Sequence, residues 1–359
     1  MDVRSIFLEL QRLLQLDFEE YASKIKKYEH MLQKEVKENP HNMRAVSLLS
    51  MVKFELRKSI STSLKYLEHS YNNFKDLLKD IDFCLLVTNM AYFYLEECIN
   101  KEKYAKELLN EAIKRNSPFP QTYFALAMEY YEENQFELAL PLYKKASDMT
   151  SLVPYHYNYA VCLNKCNRAF ESIEILKKIS EGYRKNEYKA KAYYSMGIIY
   201  SFLGEIEKAR KIAFDLLDVD YSTLNIEHYM LADLMFLVGE FQQCIILYDK
   251  ENLWETADWL SLYFYSQKEI DCKENALKKL QHIVNKGNME IKDCKLEDFD
   301  GNEKDLNKYI DNERERVESI RTAYDNVFNT DIKPKIISNI DLIYVCYYID
   351  CPRHMVDDI

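Results

Sequence analysis

A recurrence of small residues constrains this chain more than any other feature. Ala127, Ala160, Gly197 and Ala232 stand 33, 37 and 35 residues apart, and each is followed 12 residues later by another small residue: Ala139, Ser172, Ala209 and Cys244. Two small side chains at a fixed separation mark where two antiparallel helices approach closely. The rest of the unit keeps register. Three places after the first small residue come Tyr130, Leu163, Tyr200 and Met235, on the same helical face. Seven places after it come Asn134, Asn167, Gly204 and Gly239, residues that tolerate the left-handed conformation at a helix end. Nine places after it Phe136, Ala169, Ile206 and Phe241 open a second helix, and sixteen places after it Tyr143, Leu176, Ala213 and Tyr248 continue its buried stripe. The repeating element is a helix–turn–helix unit of about 35 residues.

Weaker copies extend the pattern in both directions. Upstream, Ala105, Leu109 and Ala112 reproduce a second helix, although its first helix (Met90, Ala91, Tyr94) is set apart by two extra residues. Downstream, Ala276, Leu280 and Ile283 do the same, with Phe264 in place of the small residue. Composition agrees with a helical chain. Only 6 Gly and 7 Pro in 359 residues leave too little turn chemistry for an all-β fold or a conventional α/β enzyme. The first glycine is Gly182, which excludes a glycine phosphate loop from the N-terminal half. The expected fold is all-α, an α-α superhelix built as a solenoid of antiparallel helix pairs.

These residues resemble the tetratricopeptide repeat, whose period is about 34. The resemblance is clearest in YFALAMEYYEENQFELALPLYKKA (123–146) and YYSMGIIYSFLGEIEKA (193–209), and it covers roughly residues 84–286. It implies a curved inner surface, lined by the first helix of each pair, that takes up a peptide or a partner helix. Residues 1–80 read as helices at about 3–15, 17–38, 42–58 and 61–79, either degenerate repeats or a small bundle. Residues 287–359 read as an acidic helical cap, since residues 290–331 hold 13 acids and 7 bases, more than half of the chain's net charge of −11. Helical apolar spacing runs over Asn302–Phe328. After Pro334, the run IISNIDLIYVCYYID is expected to be a final buried helix, with a strand as the less favoured reading, because apolar runs of this length are ambiguous.

Helical offsets select the residues that face inward. Three places before each small residue stand Phe124, Tyr157, Tyr194 and Tyr229, an aromatic ladder. Met128, Ile198 and Asp233 follow one place after it, and Tyr131, Asn164 and Phe236 four places after it. Together with Asn158 these offer apolar anchors and a few polar groups to hold a peptide backbone. The alternative is that the rings pack between neighbouring units as core. The pattern of basic and Asn residues that chaperone-binding repeats use for a C-terminal carboxylate is missing from this ladder, so such a ligand is not favoured.

No metal or cofactor site is expected. Cys162 and Cys166 read as packed thiols, Cys346, Cys351 and His354 match no common zinc spacing, and DFDGNEKD (298–305) lacks the ligands of a calcium loop. No nucleophile, zinc-protease or phosphate-loop motif appears, so the chain reads as a non-enzyme. The acidic balance argues against direct nucleic-acid binding. Charges interrupt the first ten residues and no apolar run is long enough to span a bilayer, which makes a cytoplasmic protein the expectation. The expected function is non-enzymatic binding of a peptide or protein segment in the concave groove. Two narrower readings stand beside it. One is a peptide-responsive regulator resembling the Rap-type bacterial receptors, and the other an immunity or inhibitor protein that masks a basic toxin or nuclease with its acidic surface.

Overall fold

The computed structural model describes residues 2–13, 16, 18–56, 59–96, 100–182, 186–219, 221–250, 256–336 and 340–353. Among them are seventeen α-helices and no strand. The chain is all-α, and consecutive helices pack against one another as pairs. It divides into two units, residues 1–175 with 341–359, and residues 176–340.

The first unit holds α1 (Val3–Leu13), α2 (Phe18–Glu38), α3 (Met43–Glu55), α4 (Ile60–Phe74), α5 (Asp80–Glu96), α6 (Glu102–Lys114), α7 (Pro120–Glu132), α8 (Phe136–Asp148) and α9 (Val153–Lys165). The unit boundary falls within α10 (Ala169–Ile179). Its helices begin where local chemistry predicts: Asn42 caps α3 by accepting from the Ala45 amide, and Ser59 caps α4 through the Thr62 amide. α1, α2 and α3 share a core of Ile6, Leu10, Ile25, Leu32, Leu49 and Val52. Beside it, the Lys53 ammonium donates to the Glu29 carboxylate with both side chains about nine-tenths buried.

The second unit holds α11 (Glu187–Phe202), α12 (Ile206–Leu217), α13 (His228–Leu237), α14 (Phe241–Lys250), α15 (Ala257–Glu269), α16 (Lys273–Asp293) and α17 (Glu303–Phe328). Asn302 caps α17 through the amides of Lys304 and Asp305. α15, α16 and α17 close on Phe264, Ile283, Ile320, Tyr324 and Val327.

The sequence register is realised in the backbone. Asn134, Asn167, Gly204 and Gly239 all have positive φ, between 59° and 80°, and Asp271 joins them at 57°. Each ends the first helix of a pair with the same two hydrogen bonds. In the clearest series, the amides of Gln135, Arg168, Glu205, Glu240 and Cys272 reach back to the carbonyls of Tyr130, Leu163, Tyr200, Met235 and Gln267. This double closure satisfies carbonyls that a helix end otherwise leaves free. In the upstream copy Asn100, displaced by the two extra residues, also has positive φ, at 64°.

The small residues also do what their spacing requires. Ala139, Ser172, Ala209, Cys244 and Ala276 are fully buried. A Cβ added to Gly197 on α11 would stand 3.0 Å from Ile212 of α12 and from Leu234 of α13, so this is a three-helix close approach. Gly287 on α16 is a second one, closed by Val317 of α17.

The run after Pro334 departs from expectation. Residues 340–347 carry no helix, turn or bend, and a turn follows around Asp350, which has φ 59°. Its β-branched and aromatic residues favour extended backbone, and the first unit supplies the burial that a helix would have needed from its own packing. Ile343, Cys346, Tyr347, Tyr348, Ile349 and Cys351 are buried.

Candidate functional site

The inner face of the first unit is defined by what lies on it. Asn158 of α9 and Asn89 of α5 occupy the same place in their repeats, two residues before the small residues Ala160 and Ala91. Both side chains are fully buried. Asn158 donates to the Ile343 carbonyl (2.7 Å) and accepts from the Ile343 amide (2.8 Å). Asn89 does the same for Ile349, donating at 3.1 Å and accepting at 2.6 Å. A carboxamide carries one donor and one acceptor side by side, which matches the amide and carbonyl of a single residue of extended chain.

The spacing of the two clamps follows from the repeat. Helices α5, α7 and α9 succeed one another, with contacts between α5 and α7 and with Phe124 of α7 against Tyr155 of α9 at 5.2 Å. Two steps of about 8–10 Å between packed helices match the reach of six residues of extended chain, at most about 20 Å. The segment therefore runs antiparallel to the order of the repeats.

Side chains read the segment between and beyond the clamps. The Tyr348 hydroxyl donates to the Ser47 carbonyl of α3 at 2.6 Å, with its ring edge-on to Tyr92 (5.4 Å) and Phe93 (5.7 Å). The Tyr347 hydroxyl donates to Glu96 at 2.9 Å, and its ring meets Tyr92 at 5.3 Å. At the segment's start the Tyr157 hydroxyl donates to the Asp341 carbonyl at 3.3 Å. Past the second clamp Arg44 of α3 faces Asp350 at 3.7 Å, and Arg353 pairs with Glu55. Burial raises the phenols of Tyr347 and Tyr348, so both stay neutral donors. Glu129, on α7, is raised by burial to about 7, with the nearby Glu132 adding to the shift.

The residues selected by helical offset divide by position. In the first unit, Asn158 and Tyr157 touch the segment directly. Phe124 is enclosed by Tyr143 (5.6 Å) and Tyr155 (5.2 Å), within the packing of α7, α8 and α9. Tyr131 is half-buried against Phe136 and Tyr143, Met128 packs partly buried on the same core, and Asn164 spends its carbonyl on the helix-end closure at Asn167. In the second unit, Tyr194, Ile198 and Phe236 are buried, Phe236 against Phe241 and Tyr265. Tyr229 stacks on Trp259 at 5.2 Å. Asp233 accepts from the Tyr248 hydroxyl at 2.6 Å, and burial raises its carboxyl to about 6.

Asn89, Ser47, Tyr92, Glu96, Arg44 and Glu55 are contacts that the offsets did not select. For Asn89 the signal was present, since it holds the place of Asn158 in the copy that contains Ala91. Cys162 donates to the Phe136 carbonyl, and neither it nor Cys166 forms a disulfide. No group of three or more His, Cys, Asp or Glu able to hold a metal occurs among the described residues. His354, named beside Cys346 and Cys351, lies outside them. No described helix is long and apolar enough to cross a membrane. The chain matches no protein-family model and no curated protein.

Proposed function

We propose that the chain is a cytoplasmic scaffold or regulator of the tetratricopeptide type that binds an extended peptide or protein segment along the inner face of its first unit, without catalysis. The observation that carries this reading is the pair of carboxamide clamps. Asn89 and Asn158, two repeats apart, each exchange two hydrogen bonds with the main chain of one residue, Ile343 in the extended stretch and Ile349 in the turn that follows it. Main-chain hydrogen bonds supply affinity for such a ligand, and pockets for alternate side chains supply selectivity. The clamps are amides that neither titrate nor attack, which suits retention of a ligand better than its conversion.

The test is selection of a displayed random-peptide library on the full chain, with each winner re-measured on Asn89→Ala and Asn158→Ala. Enriched peptides whose affinity falls at least tenfold on either substitution support the reading. No enrichment, or winners indifferent to both substitutions on folded protein, would overturn it.

A further inference from the structure

The segment on the inner face belongs to the chain itself, and the way it is held separates two kinds of recognition. The clamps at Ile343 and Ile349 read main chain, the first on extended backbone and the second at the start of a turn. Selectivity comes from the side chains around the second clamp: Tyr347 on Glu96, Tyr348 on Ser47, Asp350 on Arg44 and Arg353 on Glu55. Read along the chain, the occupied pattern is an apolar residue, three unspecified residues, two tyrosines, isoleucine, aspartate, two unspecified residues and arginine. We propose that residues 341–353 are an exchangeable internal occupant of this face, and that the partner they give way to is an extended segment of another protein carrying the same tyrosine-pair pattern. The proposal rests on the peptide-binding reading above and names the ligand class of that same face.

Two observations favour exchange over a permanent plug. The segment has neither helix nor strand of its own among the described residues, so its main chain is held by side chains that would hold a competitor equally well. Both of its ends, Asp341 and Arg353, are exposed, which gives a competitor two places to start. A tethered segment also enjoys an effective concentration on the order of millimolar, so the internal occupant excludes weak ligands and yields only to one that binds better or is presented at high local concentration.

Native thiols report the exchange without altering the protein. Cys346 and Cys351 lie buried in the segment, whereas Cys84 and Cys162 lie buried in helices of the same unit. The full chain is labelled with iodoacetamide and the modified cysteines are mapped by mass spectrometry, with and without a synthetic peptide of residues 341–353 bearing Cys346→Ser and Cys351→Ser. A ligand that binds only the opened face multiplies the open population by 1 + [L]/Kd. Labelling of Cys346 and Cys351 at least tenfold faster than of Cys84 and Cys162, accelerated about fivefold at a peptide concentration of about four Kd, is the expected result. A control peptide with Tyr347→Ala and Tyr348→Ala should leave the rate unchanged.

Labelling of all four thiols at one rate, or indifference to the peptide, overturns the proposal. So does a labelling rate that rises with protein concentration, which would assign the exchange to a second copy's own segment. The two readings fail separately. Library winners that depend on Asn89 or Asn158 and accelerate segment labelling but carry no tyrosine pair overturn the ligand class named here and leave peptide binding standing. Peptide-driven labelling with no library winners does the reverse.

Discussion

Asn89 and Asn158 hold one place in two repeats and make one interaction twice. Each lays its carboxamide against the amide and carbonyl of a single residue, Ile349 in one case and Ile343 in the other. The fold fixes where these two side chains stand, and a chain extended to Tyr347 and turning at Ile349 meets both.

Breaking one half of a clamp tests its chemistry. Asn158→Asp keeps the acceptor for the Ile343 amide but sets a carboxylate against the Ile343 carbonyl. The expected loss is about 1–3 kcal/mol at neutral pH, the cost of an unsatisfied buried group. Burial raises the introduced carboxyl, so its protonated form, a donor again, should recover much of the loss as pH falls through its folded-state pKa. Denaturant unfolding at pH 7.5 and pH 5 measures both.

Glycine carries two different duties in the repeats, and substitution separates them. Gly197→Ala drives a methyl to 3.0 Å from Ile212 and Leu234, and a loss of about 1–3 kcal/mol is expected from overpacking. Gly239 has open space around it but φ +80°, and Asn serves at the matching places 134 and 167. Gly239→Asn should therefore cost much less than Gly239→Val, as thermal unfolding of the pair would show.

The Lys53–Glu29 pair is buried between α2 and α3. Glu29→Ala leaves an uncompensated ammonium and should cost about 3–5 kcal/mol. Replacing both residues by Met should be close to neutral. An equal loss in the single and double variants would contradict this account of the pair.

Asp233 gives the second unit a pH dependence. Burial lifts its folded-state carboxyl from 3.8 to about 6, above the unfolded value. The folded state then binds the extra proton, and stability from this group falls as pH rises from about 4 through about 6. Asp233→Asn removes the titration and keeps an acceptor for Tyr248. The variant should match the parent at pH 4 and exceed it at pH 8 in denaturant midpoint.

Much of the fold was legible because its rules are local. A helix end that closes through a left-handed residue needs Asn or Gly there, so Asn134, Asn167, Gly204 and Gly239 announced the turns. Close helix approach needs a small residue, so Ala127, Ala160 and Gly197 announced the pairs. Gly287 escaped because the α16–α17 contact lies outside the repeat register.

The site was only half legible. The helical offset selects Asn158, whereas two extra residues blur the copy of the repeat that holds Asn89. The aromatic offset that selected Tyr157 also selected Phe124, whose ring turns into the packing between helices. For the segment after Pro334 apolar periodicity favours a helix over a strand without deciding between them, and the structure has neither there among the described residues. Its path, extended to Tyr347 and then turning, is fixed by partners far away in sequence: Asn89, Asn158, Ser47 and Tyr92.

Hydrogen exchange at two amides tests the clamp account most directly. The Ile343 and Ile349 amides should be protected in the native chain. Asn158→Ala should expose Ile343 more than Ile349, and Asn89→Ala should do the opposite, with α7 unchanged in both. Unprotected amides at 343 and 349 in the parent chain, or protection indifferent to both substitutions, would contradict it.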